Sequence, residues 1–249
     1  MTRLIRTELL KQRATRSFVA GVVAAPVLGA FITVAVYGAA GKNGNAPLGA
    51  DSFVQALGAP ASVITLIAVV LGVLGMAGEY RHQTVTTTFL ATPRRRDVVV
   101  GKLMAHALTG ALMGLLSVAA AAAVAGPWLQ REGVAVVVDS EVASIAAGAV
   151  LSASLYGALG VALGALLRNQ TAAIGVVIAW LLAVEGIVTD VFQRSAFVHW
   201  MPAAAGRAMV GAADRAHGLS APVAAAVFAA YVLAFALVAT RLTLHRDVS

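Results

Sequence analysis

The 249-residue chain predicts an all-α integral membrane fold with six transmembrane helices and short amphipathic helices at the cytoplasmic and extracellular faces. Two observations carry that prediction. Hydrophobic residues make up 60% of the chain and charged ones 12%, against roughly a quarter charged in an ordinary soluble domain. The apolar residues also come in uncharged runs long enough to cross a bilayer, where a soluble core would interrupt them with polar positions.

The first run, Phe18 to Ala40, holds 23 residues without a charge and covers roughly 34 Å as a helix, enough for the ~30 Å hydrocarbon core. Segment 1–17 before it carries Arg3, Arg6, Lys11, Arg13 and Arg16. A basic lead into an apolar run also describes a signal peptide, but this run is too long and holds Pro26, so a retained span is expected. Leu4, Ile5, Leu9 and Leu10 can form one apolar face of a short helix in segment 1–17, suited to the membrane interface, with a solvated positive-inside anchor as the alternative. Further spans are expected at Ala56 to Gly78, Leu103 to Ala125, Val142 to Leu167, Thr171 to Val188 and Ala221 to Thr240, all within one six-span domain covering 1–249.

Six spans put both termini on one side, and basic residues identify that side as cytoplasmic. Thirteen lie in the N-terminal segment, the 79–102 loop, the turn at Arg168 and the C-terminal tail, whereas Lys42, Arg131, Arg194, Arg207 and Arg215 make five opposite. The formal net charge of +7 therefore points to anionic lipid headgroups as counter-charge and not to nucleic acid. Glycines four apart, Gly110 with Gly114 and Gly160 with Gly164, allow close backbone approach inside the bundle. The 189–220 loop is longer than a turn and contains Trp200 and Pro202, an interface aromatic followed by a helix starter.

Recognisable catalytic chemistry is absent from the sequence. There is no phosphate-binding loop, no HExxH and no GxSxG; the five histidines lack ligand spacing and there is no cysteine. The expectation is therefore no catalytic residue, no metal and no cofactor bound by this chain. His106 falls at the inner interface, four residues after Lys102, with no evident partner for a proton relay. Asn169-Gln170-Thr171 matches a glycosylation sequon by coincidence. Glu185, the one acid in an otherwise apolar run, is expected at the outer interface beside Asp190, with a place on a substrate path as the alternative.

The most informative segment is 79–102, EYRHQTVTTTFLATPRRRDVVVGK. A loop that only turned could be far shorter. Val85, Phe89 and Leu90 at helical spacing make a small apolar face that Pro93 ends, a form suited to docking on a soluble partner, while the Thr-rich run 84–88 has poor helix propensity and leaves a simple basic anchor as the alternative. Arg94, Arg95, Arg96 and Lys102 are expected to anchor at the membrane surface.

At this loop the sequence resembles permease subunits of type-two ABC transporters of the exporter-like class, in which the second span ends in an acid, an aromatic-basic pair and a Thr. An apolar patch, a Pro with basic residues and a Lys follow. The matching residues are Glu79, Tyr80, Arg81, Thr84, Phe89 with Leu90, Pro93, Arg95 or Arg96, and Lys102. The six-span plan, basic N-terminal segment and Trp200-x-Pro202 stretch extend the likeness. It implies a coupling loop (Glu79, Arg81, Thr84, Val85, Phe89, Leu90, Pro93) touching a separate ABC ATPase that holds ATP and Mg, a second permease copy or similar chain, and a bacterial cytoplasmic membrane location. A secondary transporter or channel, or an intramembrane enzyme, is the alternative; the former would place coupling charges at mid-membrane, where only Glu185 qualifies.

Overall fold

The computed structural model describes residues 1–42, 45–49, 51–84, 95–192, 195–211 and 218–245, with the backbone alone at 95 and 242–245. The described residues are almost wholly helical: α1 (Thr2–Arg13), α2 (Arg16–Ala39), α3 (Ser52–Gly58), α4 (Ala61–Arg81), α5 (Arg95–Arg131), α6 (Ser140–Leu167), α7 (Gln170–Ala179), a π-turn (Trp180–Val184), α8 (Glu185–Val191), a 3-10 turn (Ala196–Trp200), α9 (Pro202–Met209) and α10 (Ala221–His245). Six stretches are long and apolar enough to span a membrane: Arg16–Ala39, Ser52–Arg81, Arg96–Arg131, Ser140–Leu167, Gln170–Val191 and Ala221–Arg241. Each overlaps an expected span. The second starts earlier than expected because α3 leads into α4 across Pro60, whose missing N–H breaks the ladder between them without ending the span.

Polar side chains fix the helix starts. Asp139 caps α6 by accepting from the amides of Glu141 and Val142, each at 3.0 Å, and Asn169 caps α7 by accepting from Ala172 N at 3.0 Å. Asn169 thus has a structural task, and Arg168 before it, at φ 52°, makes the tight turn between α6 and α7.

Large apolar groups lie outside as well as inside, unlike in a soluble protein. Alanines and glycines make many of the interior contacts, beside larger buried groups such as Phe228 and Met113, whereas Val19, Val23, Val27 and Phe31 of α2 and Leu233 and Leu237 of α10 are exposed along their helices. That is the arrangement lipid demands, since tails solvate large apolar groups and close helix contact needs small ones. The most central helix is α6, packed on α4, α5 and α10. A Cβ on Gly160 would lie 2.0 Å from the Val69 carbonyl of α4, and one on Gly110 would lie 2.1 Å from the Ala153 carbonyl. The glycine pairs read from the sequence therefore pack helices within this chain. Because the obstacle is backbone and cannot rotate aside, Gly160→Val is expected to abolish recovery of folded protein, whereas Gly186→Ala, with open space around it, should not; yields after size-exclusion chromatography check both.

Candidate functional site

Helix α1 lies against α5 and presents to it a polar face. Glu8 and Gln12 are buried, while Leu10 is 56% exposed. The apolar side expected to define this helix is therefore only partly turned inward: Leu4 packs near Gly101 of α5, and the inward face is chiefly charge and amide.

Those groups close a ring of four charges. The Lys102 ammonium donates to Glu8 Oε2 at 2.6 Å and to Glu79 Oε1 at 2.7 Å, and it reaches the Gly75 carbonyl at 3.4 Å. Lys11 donates to Glu8 Oε1 at 2.9 Å and to Glu79 Oε1 at 3.3 Å. Two carboxylates and two ammoniums thus alternate across α1, α4 and α5. Burial alone would raise the Glu8 carboxyl, but the charge of Lys102 and hydrogen bonds from Lys102 and Lys11 outweigh it and hold the group below the usual carboxylate range. Lys11 is likewise pushed up: burial opposes its charge, but the Glu8 hydrogen bond and the nearby Glu79 charge prevail.

A second polar layer lies deeper. Gln12 Nε2 and His106 Nδ1 are 3.0 Å apart, and His106 Nδ1 is 3.0 Å from the Lys102 carbonyl. The Thr109 hydroxyl meets both Gln12 Oε1 and the Ala105 carbonyl, yet it has one proton. Turning the Gln12 amide over lets its NH2 donate to Thr109 and Thr109 donate to the Ala105 carbonyl, while one proton on His106 Nδ1 is shared between Gln12 Oε1 and the Lys102 carbonyl. The imidazole fits only because residue 75 is glycine; a Cβ there would lie 2.0 Å from His106 Nε2. Both layers border a cavity of about 500 Å³ that also reaches Phe18, Leu71, His82 and Thr84.

The structure brings together only some of the expected site residues. Glu79 joins the ring, Arg81 is exposed, and Thr84 is exposed with its amide on the Glu79 carbonyl at 3.0 Å. Val85, Phe89, Leu90, Pro93 and Arg94 lie outside the described residues, Arg95 opens α5, and the Arg96 side chain is exposed. Lys102, expected at the membrane surface, is instead 1% exposed; two carboxylates hold it inside, one from a helix 94 residues away in sequence. His106 does have partners at its own depth, contrary to the sequence reading. At the other end of the bundle Glu185 is also 1% exposed, within a span that continues to Val191.

Sequence reasoning missed Glu8, Lys11, Gln12 and Thr109 as site residues. The available signal was a pair of matching stripes: Glu8 and Gln12 at i, i+4 on one helix, and Lys102, His106 and Thr109 at i, i+4, i+7 on another.

In this arrangement α1 is tied to the end of the second span and the start of the third. The model of the ABC-2 family transporter protein matches residues 4–186. The chain belongs to this family. It is a permease, a multi-pass membrane component of an ABC transporter, and membership implies association with an ABC ATPase. No curated protein matches the permease. The matched region runs from α1 to the start of α8, so the charged ring falls within it and α9 and α10 lie beyond it.

Proposed function

We propose that this permease is the membrane half of an ATP-driven exporter in a bacterial cytoplasmic membrane. Two copies, or this chain and a similar one, pair around the substrate path, and a separate ABC ATPase docks on the 79–102 loop. Both termini and that loop face the cytoplasm, where Arg3, Arg6, Arg13 and Arg16, exposed around α1, hold anionic lipid headgroups. The ATPase supplies ATP and Mg chemistry; the permease converts loop displacement into movement of its spans.

The observation that supports this reading best is the ring itself. Glu79 and Lys102 flank the loop on its two sides, and Glu8 and Lys11 join both flanks to α1, which leads within three residues into the first span. A force on the loop then reaches three helices through short, charge-assisted bonds.

Co-expression with an ABC ATPase, copurification and substrate-stimulated ATP hydrolysis in lipid test the proposal. A stable complex holding two permeases, with hydrolysis stimulated by a hydrophobic or amphipathic substrate, is expected; an active complex with one permease and no second would refute the pairing. Orientation has its own test, because the chain has no native cysteine. Single cysteines at Ala46 or Glu132 are expected to react with an impermeant thiol reagent in intact cells, and those at His82 or Ser249 are not. The reverse pattern would overturn the cytoplasmic placement of α1 and the loop.

A further inference from the structure

The buried carboxylate of Glu185 takes no part in the charged ring, which lies at the far end of the bundle. Glu185 Oε1 accepts from the backbone amide of Ala204 at 2.8 Å, and Oε2 accepts from Trp180 Nε1 at 3.2 Å. Trp180 opens the π-turn and Glu185 follows it, so the five-residue separation that brings the indole onto the carboxylate is the spacing of that turn. Ala204 lies in the first turn of α9, where a helix has amides without intrahelical acceptors and favours a negative group.

The other end of α9 is held by close packing. A Cβ on Gly148 would lie 1.8 Å from the Met209 carbonyl, and one on Gly206 would lie 2.8 Å from Tyr156 Oη. Helix α9 is therefore packed firmly at its C-terminal half on α6 and pinned at its first turn by Glu185. It forms one wall of a cavity of about 690 Å³, to which it contributes Ala203, Gly206 and Arg207. Leu181 and Leu182 of the π-turn, Thr65 of α4, Ser152 and Tyr156 of α6, and Val54 and Gln55 of α3 are among the other lining residues.

We infer that Glu185 is a positioning residue for transport: by holding the first turn of α9 to the π-turn, it keeps α9 and Arg207 in place as the wall of this cavity. Release of the Ala204 amide lets α9 swing about its Gly148–Met209 packing and opens the cavity. The inference concerns the end of the molecule away from the ring and does not depend on ATPase docking, so the experiment reads accessibility and not transport.

The probe is a Ser152→Cys permease purified in lipid nanodiscs and labelled with a small maleimide. Ser152 is 1% exposed and lines the cavity, so its labelling rate reports opening. Glu185→Leu substitutes an apolar side chain of similar bulk and strips both donors of their acceptor. Labelling is expected to rise about tenfold, the ratio that ~1.4 kcal/mol produces. Glu185→Gln, whose amide oxygen still accepts from Ala204, should restore a rate near that of the parent. Ser117→Cys, also buried, at 3% exposure on α5, should not change in any variant. An unchanged rate at position 152 in Glu185→Leu, an equal rise in Glu185→Gln, or a parallel rise at position 117 would each overturn the inference. Where Glu185→Leu does not fold, Ala204→Pro removes the same amide from the first turn of α9, and an unchanged rate at position 152 or a parallel rise at position 117 then overturns the inference.

Discussion

Lys102→Met is expected to release α1 from the bundle. The variant removes the ammonium that bridges Glu8 and Glu79 at 2.6 and 2.7 Å and leaves two carboxylates facing each other, with Lys11, 45% exposed along its side chain, as their remaining counter-charge. Removing one partner of a buried pair costs about 3 to 5 kcal/mol, because the abandoned charge stays desolvated; that is a large part of a typical folding free energy. Trypsin cleavage at Arg13 and Arg16, which flank the short joint between α1 and α2, should accelerate at least tenfold (~1.4 kcal/mol). The triple variant Lys102→Met, Glu8→Gln, Glu79→Gln removes the orphaned charges together and should recover much of the protection. If Lys102→Met cleaves at the parental rate, the ring does not hold α1.

The same ring sets a pH window for α1. The Glu8 carboxyl is held low in the folded protein, so its contribution is complete above the unfolded carboxylate value of ~4.3 and is lost as pH falls through the depressed folded value. Lys11 is raised, so its contribution is complete below the unfolded lysine value of ~10.4 and is lost as pH rises through the raised one. Protection of α1 against hydrogen exchange, corrected for intrinsic rates, should therefore be flat through neutral pH and fall only toward acid below the carboxylate range or toward strong alkali. Loss of protection centred near pH 6.5 would point instead to a histidine.

The spans were legible because lipid imposes a local rule: every stretch that crosses must be apolar for about twenty residues in a row. Phe18 to Ala40 obeys it without reference to anything else in the chain, and α2 forms there. The buried polar sites were not legible, because what buries them is distant. Lys102 looks like a surface anchor beside Arg94 to Arg96 until Glu8 arrives from 94 residues away. Glu185 looks like an interface residue until α9 folds back and Ala204, 19 residues later, donates to it. In both places a charge near a span end was read against local hydropathy, which weighs how far it lies from water and not which helix will cover it. Helical spacing carried part of the missing information, since Lys102, His106 and Thr109 share a face of α5, but recognising the complementary face of α1 required reading Glu8 and Gln12 as a pair.

Phe89→Asp is expected to leave the permease in the membrane and to break its association with the ATPase or the coupling of hydrolysis to transport. Phe89 and Leu90 lie outside the described residues, so the case rests on sequence and on what flanks them. They are apolar groups in a polar segment between Glu79 and Lys102, too short to bury them in a core of its own, and a surface on another protein is their natural cover. Burying such a side chain contributes about 1.5 to 3 kcal/mol, and a carboxylate in its place adds a desolvation penalty at the contact. Affinity for the ATPase should fall at least tenfold, since ~1.4 kcal/mol is one decade. Arg95→Ala gives the contrast. Arg95 opens α5, and the sequence assigns it to lipid headgroups and not to the ATPase contact, so its loss should weaken the complex far less. Copurification and ATPase stimulation measured on both variants separate the two roles. Equal effects, or normal binding and transport by Phe89→Asp, would reduce the loop to a topological anchor and leave the ring without a docked partner to transmit from.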